Sequence, residues 1–148
     1  MSPDPAILEL IPHRPPMLLI QQLESVTATS AQASLTIDQR SAFFTPGNGV
    51  PSWIGVEYMG QTAALIAGYQ QQQGELEPHL GLLLGTRKYQ AFRPWFAAGT
   101  PLLVSCNESA VVGGSLATFH CQIINQSNHE MCAEAKLSVF RKPHSSTG

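Results

Sequence analysis

The sequence predicts an α+β fold in which a curved antiparallel β-sheet wraps around one long central helix. Three observations carry this expectation. Residues 53–73 form a proline-free run whose only charged residue is Glu57, the pattern of a helix buried on nearly every side. Strand-like segments flank the run, several with apolar residues at every second position. Turn residues, Gly113-Gly114 and the polar stretch 125–129, separate the later segments.

The elements follow in order. Residues 6–11 are a short apolar stretch ended by Pro12, enough for one or two helical turns. Residues 12–16 cannot be regular structure, because each proline lacks a donor and restrains the residue before it. Residues 18–28 and 31–38, rich in Val, Thr, Ser and Ala, read as two strands. Residues 41–52 read as a loop, punctuated by Pro46, Gly47, Asn48, Gly49 and Pro51. Ser52 suits a helix cap and Gly74 a helix stop, with Gln70 to Gln73 as an exposed helix end. Four further strands are expected at 80–90, 100–112, 114–125 and 130–141. In the last two, Ala117, Phe119, Cys121 and Ile123, then Ala133, Ala135, Leu137 and Val139, alternate with mostly polar neighbours. The chain shows no repeat and reads as one domain over residues 1–143, with a disordered tail at 144–148. Two such subunits joined edge to edge would cover an exposed edge strand.

Charge is sparse: 12% of the 148 residues are charged, 43% are hydrophobic, and the net charge is −2. A surface with few charges favours a buried subunit interface. The lack of basic excess argues against nucleic-acid binding. The N-terminal residues carry no signal-peptide pattern, and no apolar run reaches the roughly 18 residues of a spanning helix. Cys106, Cys121 and Cys132 are odd in number and widely spaced. They read as reduced, half-buried residues of a cytoplasmic protein. His13, His79, His120, His129 and His144 are scattered, without metal-ligand spacing.

Four features carry chemistry. Glu57 lies one turn into the apolar helix, on a face shared with Trp53, Ile54, Gln61, Ala64 and Leu65. Burial there would raise its pKa toward that of a general acid; the alternative is a structural tie between helix and sheet. The turn 46–52 runs into a helix N-terminus, whose free amides can polarise a carbonyl or simply cap the helix. His13 can titrate near neutral pH, or anchor its loop. Arg87, Lys88 and Arg93 form a small basic group that would attract an acidic carrier protein or a phosphate, or stand solvated.

The strings themselves carry a resemblance. Pro12-His13-Arg14-Pro15-Pro16-Met17-Leu18-Leu19-Ile20 resembles the opening PHRYPFLLVD motif of bacterial β-hydroxyacyl-[acyl carrier protein] dehydratases. Pro46-Gly47-Asn48, followed by Pro51-Ser52-Trp53-Ile54-Gly55-Val56-Glu57-Tyr58-Met59-Gly60-Gln61, resembles their HFPGNPIMPGVLMIEAMAQ segment. Phe92-Arg93-Pro94 with Gly99 resembles FxRPVxPGD. Order and spacing hold over about residues 8–141. More narrowly, VPSWIGVEYMGQ and LLLGTRKY resemble the dehydratase-like subunit of aryl-polyene pigment pathways.

The resemblance implies a hotdog-fold dimer with sites at the subunit interface. It implies no metal or cofactor, and a substrate carried by acyl carrier protein, contacted through Arg87, Lys88 and Arg93. Within the family a loop His removes the proton beside the thioester. A helix carboxylate assists loss of the 3-hydroxyl as water, and a helix N-terminal amide binds the thioester carbonyl. Carried over, Glu57 is the acid and Ser52 supplies the amide, while Trp53, Gln61, Phe43 and Phe44 line the substrate. The loop His is replaced: Phe44, or Phe43 with an earlier gap, stands in its place and cannot accept a proton. Three explanations follow: a related subunit supplies the His in a heterodimer, His13 substitutes as base, or the subunit is non-catalytic. The first is preferred, because the family's site is already shared between subunits and Glu57 is retained. A hotdog thioesterase, with Glu57 activating water, is a further alternative.

Overall fold

The computed structural model describes residues 3–74, 82–113 and 116–140, apart from the side chains of residues 82–87 and 140. The chain opens with helix α1 (Pro5–Leu10), started by Asp4, whose Oδ1 accepts from the Ala6 amide at 2.9 Å. The other carboxylate oxygen accepts from Leu23 N at 2.9 Å and ties the helix to the first strand. Strands β1 (Gln22–Val26) and β2 (Ser30–Thr36) form a hairpin. Both are shorter than the expected 18–28 and 31–38. Residues 19 and 20 are held away from a ladder because their amides donate to the Gln61 side chain.

Strand β3 (Val50–Pro51) leads into a 3-10 turn (Ser52–Ile54) and then helix α2 (Gly55–Gln72). Strands β4 (Leu82–Ala91), β5 (Trp95–Phe96), β6 (Pro101–Val112), β7 (Leu116–Asn125) and β8 (Glu130–Phe140) follow. Six strands form one antiparallel sheet in the order β1-β2-β6-β7-β8-β4. The β3–β5 pair lies apart from it and begins inside the stretch expected to be loop. Two residues are too few for alternation to reveal. Gly49, at φ +107, enters this pair, and a side chain there would collide with the Phe96 carbonyl.

The sheet's inward face follows from its alternation. Leu102, Val104 and Cys106 on β6 and Ala117, Phe119, Cys121 and Ile123 on β7 are buried. On α2, Tyr58, Met59, Thr62, Ala63, Leu65 and Ile66 are buried as well. The apolar members of both elements belong to one core cluster. Each fully buried Leu or Ile contributes about 1.5–3 kcal/mol, so packing the sheet around the helix is a large apolar contribution to stability. The register shifts between Ile123↔Ala133 and Ile124↔Met131, a bulge that leaves both Cys132 and Ala133 buried.

Some local expectations change. The three cysteines are free but fully buried rather than half-buried, because Cys106 and Cys121 face each other across the inward ladder and Cys132 sits at the bulge. Gln70 is not part of an exposed helix end: it is buried and donates to Ala28 O at 2.6 Å, while Gln72 and Gln73 are exposed. His79, His144, Gly114 and the tail at 144–148 lie outside the described residues.

Candidate active site

The start of α2 is held by long-range hydrogen bonds. The Ser52 amide donates to Pro94 O at 3.0 Å, extending the β3–β5 ladder. The Ser52 carbonyl accepts from the Tyr89 hydroxyl and from Gly55 N. Burial pushes the Tyr89 hydroxyl up to about 12, so it remains a protonated donor at neutral pH. Gly55 is required here, since a Cβ would meet the Tyr89 hydroxyl and lie 2.9 Å from Ile123 Cδ1.

This geometry corrects the sequence reading of Ser52. Its amide is engaged by Pro94 and is not offered to a ligand. The next amides, those of Trp53 and Ile54, open the helix and have no acceptor within it. Ile54 is buried while Trp53 is exposed, so the Trp53 amide, with the helix dipole behind it, is the donor able to meet a developing oxyanion. Tyr89 and Pro94 were missed as support for this turn. Their signals lay in the LLLGTRKY string and in Phe92-Arg93-Pro94, which carry no local hint of contact with residue 52.

Glu57 is the second departure. It was expected to be buried, but its side chain is exposed on the single chain. Around the same opening turn, Trp53 and Phe43 are each 61% exposed, and their rings meet at 5.8 Å between centroids with a 56° tilt. Phe43 holds a left-handed backbone, φ 66, which for a bulky residue costs about 1–3 kcal/mol. Phe44 is half-buried and packs on the core. Met17 is exposed as well.

His13 is brought into the same neighbourhood. Burial lowers its pKa below the ordinary 6.5, and the Glu57 carboxylate acts in the opposite direction. Burial is the larger influence, so the ring is mostly neutral at pH 7. Its Nδ1 is buried and has no hydrogen-bond partner among the described residues. Gln61 does not line an open site: it is buried, accepts from Leu19 N and Ile20 N, and donates to Met17 O.

The basic group is only partly present as expected. Lys88 is exposed, and the Arg87 side chain lies outside the described residues. Arg93 pairs with Glu130 at 2.6 Å, and nearby Glu134 bonds His120 at 2.9 Å. Acidic partners therefore offset much of the positive field there. Among the described residues no group of His, Cys, Asp and Glu is arranged to hold a metal ion. No described helix is long and apolar enough to cross a membrane.

The arrangement thus offers a carboxylate one turn into a helix, the Trp53 amide ahead of it, an exposed aromatic pair beside it and a half-buried imidazole whose pKa that carboxylate raises. Comparison with known proteins gives these features a family. A solved structure of the dehydratase heterocomplex ApeI:P from Xenorhabdus doucetiae matches with TM-score 0.79 and 23% identity, covering 91% of this chain and 90% of that one. The PaaI protein of the phenylacetic acid degradation operon of E. coli matches with TM-score 0.65 and 13% identity, over 81% and 82% of the two chains. A hypothetical thioesterase from Streptococcus pneumoniae, solved with coenzyme A, matches with TM-score 0.65 and 10% identity, over 84% and 88%. At these identities the likenesses establish the hotdog fold alone. No curated protein sequence matches the chain. The family model for ApeP-like proteins, described as ApeP dehydratase, matches residues 5–147. The chain belongs to the ApeP-like dehydratase family and has the hotdog fold.

Proposed function

We propose that this subunit supplies the acid half of a composite site. A related hotdog subunit supplies the base, and the substrate is a 3-hydroxyacyl thioester on acyl carrier protein. One observation carries the reading. Glu57 stands exposed one turn after the exposed Trp53, while Phe43 and Phe44 occupy the loop where a base is needed.

In this mechanism the thioester carbonyl rests on the Trp53 amide at the start of α2, which stabilises the enolate. The partner's base removes the proton at C2. Protonated Glu57 gives its proton to the departing 3-hydroxyl, which leaves as water, and the trans-2-enoyl thioester remains. Covering by the partner would exclude water from the site. The strained and exposed Phe43 supports such covering, because a bulky left-handed residue persists where surroundings hold it, and the single chain leaves this ring 61% exposed. Edge strand β4 carries Tyr89, which braces the start of α2. Pairing through that edge would bring a second sheet toward Glu57. The X. doucetiae heterocomplex supports a heterodimeric assembly. Lys88 and Arg93 are the contacts for the acidic carrier, with Arg87 beside them in sequence, and the assembly works in the cytoplasm.

The test is mass spectrometry of a 3-hydroxyacyl-carrier thioester incubated with the purified chain, alone and with a co-expressed dehydratase of the same fold. Loss of one water only in the presence of the partner is expected. Loss with the chain alone would overturn the partner-supplied base. Release of free carrier thiol would instead indicate hydrolysis, a reading to which the likeness with thioesterases adds only a shared fold.

A further inference from the structure

The turn that opens α2 is held at its peptide groups. The Ser52 carbonyl accepts from two donors, the Tyr89 hydroxyl and Gly55 N, which engages both lone pairs of that oxygen. Ser52 N donates to Pro94 O at 3.0 Å, so the peptide before it is fixed as well. The Ser52 carbonyl and the Trp53 amide belong to one peptide unit. That unit is planar and trans, so its C=O and N–H point opposite ways. Fixing the oxygen therefore fixes the line along which the Trp53 amide points. Donation to a carbonyl also polarises its peptide and strengthens the N–H as a donor, by roughly 10–30%.

Tyr89 is seated for this contact. It stands on β4 directly opposite Ala135 of β8, a buried residue whose small side chain leaves room for a ring inside the sheet. The ring is half-buried and packs on the core. The hydroxyl takes the space that a Cβ at residue 55 would need, so glycine there lets the phenol reach the Ser52 oxygen. A phenylalanine would fill the same core space, and what the hydroxyl adds is the bond to Ser52.

We propose that Tyr89 is a positioning residue for the reaction: from β4 its hydroxyl aims and polarises the Trp53 amide, the group that receives the developing oxyanion. It touches no substrate atom and acts through the peptide between Ser52 and Trp53. The proposal rests on the dehydratase reading above, in which that amide meets the thioester carbonyl, and adds the residue that sets the amide's direction and strength.

The experiment is NMR of the full chain with isotope-labelled tryptophan. The chain has two tryptophans, so two backbone amide signals result, and Trp95→Phe assigns them. Tyr89→Phe keeps the ring and removes the hydroxyl. The Trp53 amide nitrogen is expected to move upfield in this variant, because its peptide carbonyl has lost a donor. In the assembled complex kcat is expected to fall by about 10- to 100-fold with KM unchanged. Fluorotyrosine in place of Tyr89, a more acidic phenol and a stronger donor, is expected to move the same nitrogen downfield and to retain kcat. An unmoved Trp53 signal in folded Tyr89→Phe would overturn the aiming role, and a moved signal with unchanged kcat would overturn its part in the reaction. If Tyr89→Phe fails to fold, the fluorotyrosine arm decides, and an unmoved signal there overturns the proposal. The shift needs no turnover, so failure here is distinguishable from failure of the dehydratase reading, which the mass measurement reports.

Discussion

Two stretches of the same helical run meet different surroundings. From Tyr58 to Gln70, α2 is mostly buried in the sheet, and a cluster of Leu, Ile, Val, Ala and Phe side chains closes around it. One turn earlier, Trp53 and Glu57 face outward beside Phe43. The later turns are complete within one chain. The opening turn is rigidly built from within, by Tyr89, Pro94 and Gly55, yet it remains uncovered. A rigid but uncovered element is what a shared site requires: its groups are positioned in advance, and a second surface supplies the low-dielectric lid. Stability and chemistry should therefore separate along this one helix, and substitutions can test that separation.

The largest effect is expected from Glu57→Gln. It should lower dehydration by the assembled complex by about 10²–10⁴-fold, the usual contribution of a positioned acid. Because the side chain is exposed, the urea midpoint of the chain should stay within error of wild type. Unchanged turnover would remove Glu57 from the mechanism. A large loss of stability would show that the opening turn belongs with the core after all.

The second effect lies in the buried stretch. Gly68 packs where the end of α1 crosses α2. A Cβ there would overlap the Leu10 carbonyl oxygen and stand 2.6 Å from its carbon. Elsewhere in a helix Gly→Ala commonly stabilises by about 0.5–1 kcal/mol. Here Gly68→Ala should destabilise by about 1–3 kcal/mol, because backbone must move, and denaturant unfolding would report it. A neutral or stabilising result would mean that α1 gives way easily. The His13 loop that follows α1 would then be less firmly seated than its hydrogen bonds imply.

How much of this was legible in the sequence divides along the same line. The wrapped helix was, because 53–73 lacks proline and carries one charge, and so were β7 and β8, where alternation is clean. The opening turn was legible as chemistry but not as geometry. The Glu57 motif and the missing loop His stand in the string, whereas the exposure of Glu57 on the single chain does not. That Ser52 gives its amide to Pro94 rests on pairing two strands of two residues each, 44 positions apart, which no local pattern records. The fastening of the N-terminal loop to α2 left one trace, Gln61 at helical spacing from Glu57. The resemblance placed Gln61 against substrate; its bonds to residues 17, 19 and 20 show it fastening a loop. The cysteines were misjudged because spacing argues for redox state but not for depth.

The smallest effect sharpens the comparison through pH. The His13 pKa is lowered by burial below its ordinary 6.5. When pH falls through that window, the unfolded chain takes up a proton that the folded chain resists, so stability must fall with it. The contribution is fully present above about pH 6.5 and is lost as pH drops through the lower folded value. Denaturant midpoints at about pH 7.5 and 5.5 should therefore differ more for wild type than for His13→Asn, which fills similar space and does not titrate. Gly68→Ala, a lesion of the buried stretch, should lower both midpoints alike and leave their difference intact. If His13→Asn kept the full pH dependence, the proton-sensitive group would lie elsewhere. The N-terminal loop would then lose its standing as the part of the chain that couples protonation to stability.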